Sequence, residues 1–481
     1  MNYLEIITFT LYFAVVLLIV FLSYKKQKSD KDFILGDRKL NFWLTALSAH
    51  ASDMSSWLFL AYPAQIFLLG GFNIWAGIGL TLFMYFNWQF IAPKVRIATE
   101  QTNSLTLNAY FENRFADKSS SIRLVSGLMT LLFFTIYICA GLVGMGFLVE
   151  SLFGVHYAVG ISIGLFIVML YVFLGGYTTV AWIDLFQGFF LLGVILFIPI
   201  YLLFQLDGFT SITAAAKAQN LPLALLPDFK PSTLYQAFIL TAGWGLGYLG
   251  QPHIITKFMG IKNVQDMSKS KYLGISWQIL ALTGATLIGL IGIALFPNGL
   301  ENPELLILNV VQQNLHPFFA GLVLCAILAA TTNVMAAQIL VVASSLCEDF
   351  YKRLFRKKAK PKELLWVSRF SVLFISCIAF IVALFKVTTI YKLVLYAWTG
   401  LGASFGPLLL ISLYSKKINR HGAFAGILTG GIIAAIGPYL GTAMGIEFPS
   451  MIVGFATSSL SIISVSRITK KYELQKLNLE N

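Results

Sequence analysis

Apolar runs of about 20 residues recur along almost the whole of this chain, each long enough for a helix to cross the roughly 30 Å of bilayer hydrocarbon. Such runs constrain the fold strongly. A backbone in lipid must satisfy its own N–H and C=O groups, which a helix does internally, and the alternating ten-residue segments of a membrane barrel are absent. The expected class is an all-α integral membrane protein. Apolar runs and their breaks place about 13 transmembrane helices at 5–23, 42–69, 72–93, 124–150, 157–175, 180–206, 233–256, 273–296, 316–346, 366–385, 389–412, 421–441 and 446–466.

Charge tests that reading, because Lys and Arg gather on the cytoplasmic side and one misplaced span would scramble the alternation. With the amino terminus outside and the carboxyl terminus cytoplasmic, all but four of the 34 Lys and Arg residues are cytoplasmic. They cluster at Lys25, Lys26, Lys28, Lys31, Arg38 and Lys39, then Lys94 through Arg123, Lys257 through Lys271, Lys352 through Arg369, Lys416 through Arg420 and Arg467 through Lys476. The exceptions are Lys217, Lys230, Lys386 and Lys392. The net charge of +13 therefore reports orientation, not a nucleic-acid-binding surface. The first run lacks a small-residue cleavage site and reads as a retained anchor.

The longest extramembrane pieces, about 207–232 and Lys352 to Lys362, are too short for a catalytic domain. With neither a GxxxxGK phosphate loop nor HExxH, ATP-driven pumping and metal-assisted hydrolysis lack residues to carry them. A channel would need a repeated pore-lining element, which the sequence does not offer. The expectation is a secondary transporter, not an enzyme, forming one polytopic domain.

Two spans are built to break. One carries Ser48-Ala49-His50-Ala51-Ser52-Asp53-Met54-Ser55-Ser56, a small polar run unsuited to lipid; the other carries Gly243 through His253, with four glycines and Pro252. Discontinuous helices are where transporters expose backbone groups to cargo and coupling ion. These are the second and seventh spans, five apart, so corresponding helices would cross in opposite directions. That predicts an extra amino-terminal helix (5–23), a first five-helix repeat (42–206), an inverted second repeat (233–412), two further helices (421–466) and a tail (467–481).

Acidic residues within spans are expensive and thus functional candidates, here Asp53 and Asp184. Trp244, Tyr248 and Pro252 recur every four residues along one helical face that could wall a pocket. The alternative is aromatic packing against a neighbouring helix.

The pieces Ala51 through Ser55, Leu132 through Tyr137, Gly175-Gly176 with Trp182 and Asp184, Gly243 through His253, Ala326 through Ala330, Cys347 through Lys352, and Tyr396-Ala397-Trp398 with Phe405-Gly406-Pro407 resemble the solute:sodium symporter family in order and spacing. The likeness runs from about residue 34 to 410. It implies a LeuT-like inverted five-helix repeat, Na+ as coupling ion with no cofactor, and a bacterial inner membrane. By likeness to the family's proline carriers, the substrate pocket maps to Tyr137, Trp244, Tyr248 and Pro252, with Ser55 nearby, and L-proline is the implied substrate. Aromatic rings suit the apolar ring, and freed backbone N–H groups suit a carboxylate.

Na+ in that family would be held by carbonyls mapping to Ala51, Met54 and Ala330 and by two hydroxyls mapping to Asn333 and Val334. Asn333 still offers an amide oxygen; Val334 offers nothing. Thr331 and Thr332 could compensate only through a shift of register. His50 stands where those carriers have glycine, three residues before Asp53, and Ser56 and Ala61 also replace glycines. A His50–Asp53 titratable pair would suit H+-coupled symport; a neutral, space-filling His50 would not. Na+ symport of another small carboxylate or amino acid stays open, with Asp53, Asp184 and His50 as the coupling candidates.

Overall fold

The computed structural model describes residues 3–23, 29–385 and 388–479; Lys25, Lys26, Lys28 and Lys386 lie outside them. The described residues form helices joined by turns and short loops, with no strands and one isolated bridge between Leu40 and Ile261. The order begins with α1 (Tyr3–Ser23), the short α2 (Asp30–Leu35) and α3 (Phe42–Ala51), which ends at a break and resumes as α4 (Tyr62–Leu69). Next, α5 (Ile74–Phe86) runs through a π turn into α6 (Ala92–Gln101), followed by α7 (Leu107–Arg114), α8 (Ser121–Phe153) and α9 (Tyr157–Gln205). After α10 (Phe209–Ala218) come the broken pair α11 (Pro231–Gly245) and α12 (Pro252–Met259), then α13 (Met267–Leu295), α14 (Leu306–Asn314) and α15 (Pro317–Ser345). The chain closes with α16 (Pro361–Leu384), α17 (Ile390–Tyr414), α18 (Arg420–Met444) and α19 (Ser450–Leu479).

Among the described residues, ten helical stretches are long and apolar enough to cross a membrane. The protein is an integral membrane protein. At 49 residues α9 would extend about 74 Å if straight, far beyond one hydrocarbon thickness. It is not straight: Gly176, at φ 58° and ψ −159°, turns the chain, and a Cβ there would lie 2.9 Å from the Phe33 ring of α2. The glycine thus serves both the turn and the seating of α2, which Ser29 caps by accepting from Asp32 N–H.

α15 is the central post, with every residue from 323 to 340 buried, packed chiefly against α8 and α9. α1 lies at the periphery, and its exposed Leu11, Leu17, Leu18 and Phe21 face outward, as a lipid-contacting helix must.

Four sequence expectations change here. The interval between the fifth and sixth predicted spans is not a loop, because helical hydrogen bonding continues on both sides of Gly176. The stretch expected as an external loop at 207–232 contains α10, and the basic segment from Lys352 begins as a helical continuation of α15 through a π turn at Leu346–Phe355. Lys257 is no free cytoplasmic charge: it is buried in α12 and ion-paired. A lysine at the end of an apolar run reads as interfacial unless its partner, 73 residues away in sequence, is known.

Candidate functional site

The first break follows α3 directly. Asp53 and Met54 N–H both reach back to the His50 carbonyl (3.3 Å each), Ser52 Oγ donates to the Ser48 carbonyl, and Ser55 N–H donates to the Asp53 carbonyl at 3.0 Å. The π turn Trp57–Ala61 then leads into α4. Small polar side chains make this possible, since their hydroxyls satisfy backbone groups that lipid could not.

The second break is built from glycines. A Cβ on Gly247 would lie 1.9 Å from Trp398 Nε1, and one on Gly250 would lie 2.5 Å from Gly406 N, so their bare backbone admits α17. Gln251, at φ −84° and ψ 106°, leaves the helix before Pro252 starts α12. Trp398 Nε1 donates to the Trp244 carbonyl (2.8 Å), Gln251 Nε2 to the Trp398 carbonyl (3.1 Å) and Asn87 Nδ2 to the Tyr248 carbonyl (2.9 Å).

The two breaks meet at Asp53. Tyr248 Oη donates to Asp53 Oδ2 and itself accepts from Gln278 Nε2 at 3.2 Å. His253 Nε2 stands 3.8 Å from Asp53 Oδ1, with the rings of Phe134 and Tyr137 edge-on to the imidazole. Beside this junction lies a small cavity walled by Asp53, Met54, Trp57, Tyr137, Trp244, Tyr248 and Trp398 among others.

Tyr137, Trp244 and Tyr248 line this one cavity. Ser55 and Pro252 do not join its wall. Ser55 Oγ accepts from Trp57 N–H at 3.2 Å and so braces the break. Pro252 lines a second cavity on the α2 side, with Ile34, Tyr177, His253, Lys257 and Ser344. The four-residue spacing holds only while a helix continues, and Gln251 ends it.

Of the two readings of His50, the geometry fits the neutral, packed one. Its Nε2 accepts from Trp88 Nε1 at 3.0 Å, its ring neighbours those of Trp88 and Trp277, and Gly274 abuts it so closely that a Cβ would sit 2.3 Å from the imidazole. An Nε2 that accepts carries no proton, so this imidazole is neutral with its proton on Nδ1. It does not pair with Asp53, because α3 ends between them and turns the carboxylate toward Tyr248 and His253.

Asp184 accepts from Ser48 Oγ and from Lys257 Nζ (2.9 Å), with both ionic partners buried. The trio ties together α3, the later part of α9 and α12. Residues of importance that pattern reading passed over are thus His253, Lys257, Trp57 and Gln278. A Gln and a His beside a proline inside an apolar run were the visible signal for the first of these.

The sequence profile of the sodium:solute symporter family matches residues 33–430, most of the chain. The chain belongs to that family. The symporter is 39% identical over 458 residues to the high-affinity proline transporter of Bacillus subtilis, covering 94% of this chain and 96% of the relative. It is 37% identical over 473 residues to the sodium/proline symporter of Salmonella typhimurium, covering 97% and 93%. Its fold matches that of a substrate-bound, outward-open Na+-coupled sialic acid symporter with a TM-score of 0.83 at 18% identity, over 97% and 98% of the two chains. The structure of MhsT in complex with L-phenylalanine matches with a TM-score of 0.57 at 12% identity, over 88% and 97% of the two chains. Membership makes this chain a transporter and not an enzyme, with Na+ as the family's coupling ion.

The symporter's residues fit a cation in part. Asn333 is buried, and neither its Oδ1 nor its Nδ2 has a hydrogen-bond partner among the described residues. Its amide oxygen is a suitable hard ligand. Thr331 and Thr332 do not replace the missing hydroxyls: they donate to the carbonyls of Ile327 and Leu328 within an unshifted α15, and the Thr332 carbonyl accepts from Tyr171 of α9. Val334 is apolar and buried.

Proposed function

We propose that this symporter imports L-proline with Na+ by alternating access. The observation that carries the reading is the meeting of two helix breaks at Asp53, beside a small cavity walled by Trp57, Tyr137, Trp244, Tyr248 and Trp398. Aromatic faces bury a pyrrolidine ring, while Asp53 supplies negative charge in a region from which water is excluded. The named relatives transport proline, which supports the same choice.

Na+ would be held by the carbonyls of Ala51, Met54 and Ala330 and by Asn333 Oδ1, with Val334 closing the site without ligating. Binding there orders the break that also carries Asp53, so cation and substrate each raise the other's affinity, a reciprocal coupling between adjacent sites. Ser55 supports the substrate site by bracing the break, Pro252 by starting α12, and Tyr137, Trp244 and Tyr248 by contact. Asp184 contributes through α3, which its pair with Lys257 and Ser48 holds in place. His50 supports α3 by packing.

The proposed topology has 13 crossings: α9 counts as two, and the broken α3–α4 and α11–α12 pairs each count as one beyond what helix length alone identifies. The repeats 42–206 and 233–412 are inverted copies, flanked by 5–23, 421–466 and the tail 467–481. The amino terminus lies outside and the carboxyl terminus in the cytoplasm of a bacterial inner membrane, as the Lys and Arg distribution and the bacterial relatives support.

Labelled proline uptake into proteoliposomes tests this under an imposed Na+ gradient and, separately, an imposed H+ gradient, with unlabelled competitors. Saturable uptake driven by Na+ alone is expected. Uptake driven by H+ alone would replace the ion, and no uptake under either gradient would replace the substrate.

A further inference from the structure

Asp53 Oδ1 and both imidazole nitrogens of His253 have no hydrogen-bond partner among the described residues, although the two side chains are 4% and 0% exposed. A carboxylate oxygen and the acceptor nitrogen of a neutral imidazole, whose other nitrogen carries the N–H, need an occupant with N–H or O–H groups to give when they lie this deep in a membrane protein. Their surroundings narrow its chemistry. Tyr248 holds the other carboxylate oxygen, and the Phe134 and Tyr137 ring edges fix the imidazole plane. The pair sits between the cavities, with Asp53 on the wall of one and His253 on the wall of the other.

We infer that Asp53 Oδ1 and His253 Nε2 form a two-acceptor seat for a secondary ammonium group, making His253 a determinant of specificity for cyclic imino acids over primary amino acids. This deepens the proposed proline reading and rests on it. The acceptors are 3.8 Å apart. A nitrogen at the ordinary ~2.85 Å from each would see them about 84° apart, within reach of two tetrahedral N–H bonds bent by little more than about 10° each. A secondary ammonium has two such bonds and both are used. A primary ammonium brings a third, buried and unpaired, at an affinity cost on the order of tenfold to a hundredfold. A tertiary ammonium brings one and presents a methyl group to a nitrogen lone pair.

Charge agrees with this count. With His253 neutral, the seat carries the single negative charge of Asp53 against one positive charge. The opposite end of a zwitterion has a donor: Trp57 lines the same cavity, and its Nε1–H has no partner among the described residues, whereas the indole N–H of Trp398 is committed to the Trp244 carbonyl.

The test uses the full chain in proteoliposomes, with Na+-driven uptake of labelled L-proline and competition by N-methyl-L-proline and L-valine. The unmutated protein is expected to prefer proline over both by at least about tenfold. His253→Phe keeps a ring against Phe134 and Tyr137 but removes the acceptor. It should weaken proline about tenfold, leave N-methylproline within about twofold, and leave the half-saturating Na+ concentration unchanged. Near-normal N-methylproline competition shows that the variant is folded, and His253→Gln, which restores an acceptor, should recover most of the preference. Equal weakening of proline and N-methylproline would overturn the seat, as would a shift in Na+ dependence with the preference intact. Absence of proline uptake by the unmutated protein removes the proline reading itself, and is seen before any variant is made.

Discussion

Replacing Lys257 by methionine keeps the length of the side chain and removes its charge. The consequence follows from what surrounds Asp184. Its carboxylate is fully buried, and its donors are Lys257 Nζ at 2.9 Å and the Ser48 hydroxyl. Without the ammonium, a buried carboxylate keeps one neutral donor, and breaking such a pair from one side costs about 3–5 kcal/mol. At about 4 kcal/mol the unfolding temperature of the purified protein should fall on the order of 5–10 °C, given the small shift per kcal/mol in long chains. Adding Asp184→Asn removes the stranded charge and should recover most of that loss. Thermal unfolding of the two single variants and the double variant in one detergent gives the coupling energy as a double-mutant cycle. A loss below about 1 kcal/mol for Lys257→Met, or a double variant no better than the single, would refute the ion pair as the tie between α3, α9 and α12. The double variant should also keep a near-normal half-saturating Na+ concentration if Asp184 acts by holding α3.

Asn333→Ser combined with Val334→Thr supplies two hydroxyl ligands and should lower the half-saturating Na+ concentration about three- to tenfold; an unchanged value would show that the cation binds elsewhere. His50→Gly leaves the Trp88 indole N–H without its acceptor and opens space beside Gly274, so stability should drop by about 2–4 kcal/mol while the Na+ dependence and pH profile of uptake stay the same. A changed pH profile would return His50 to the coupling mechanism. Glu304 accepts from the Ile390 and Tyr391 N–H groups at 3.1 and 2.9 Å, capping α17 from the short 3-10 turn that leads into α14. Glu304→Gln keeps an acceptor but loses the charge at a helix amino terminus, and should cost about 1–2 kcal/mol in thermal stability and raise the proline KM a few-fold.

Both helix breaks were legible in the sequence because their causes are local: glycines without a Cβ, a proline without an N–H, and short hydroxyl side chains in an apolar context. The aromatics Trp244 and Tyr248 stood out for a different reason, since large rings beside glycines in a membrane span imply a close neighbour; Tyr137 came only from the family resemblance. That neighbour, α17, was not identifiable from local pattern. Side-chain partners were the least legible feature. His50 and Asp53 look adjacent when helical spacing is extended through the break, yet the chain turns between them and the carboxylate meets His253 instead. Lys257 looked like one more positive charge at a membrane surface, because nothing near it in sequence reveals a carboxylate on α9.

The fit of His50 against Gly274 couples the two positions. A β-carbon at position 274 would lie 2.3 Å from the imidazole, whose Nε2 is tied to the Trp88 indole N–H. A larger residue at 274 would therefore push the histidine off that bond, and a histidine at 50 needs a glycine beside it. Among relatives a histidine at 50 should be found with glycine at 274, while glycine at 274 can stand alone.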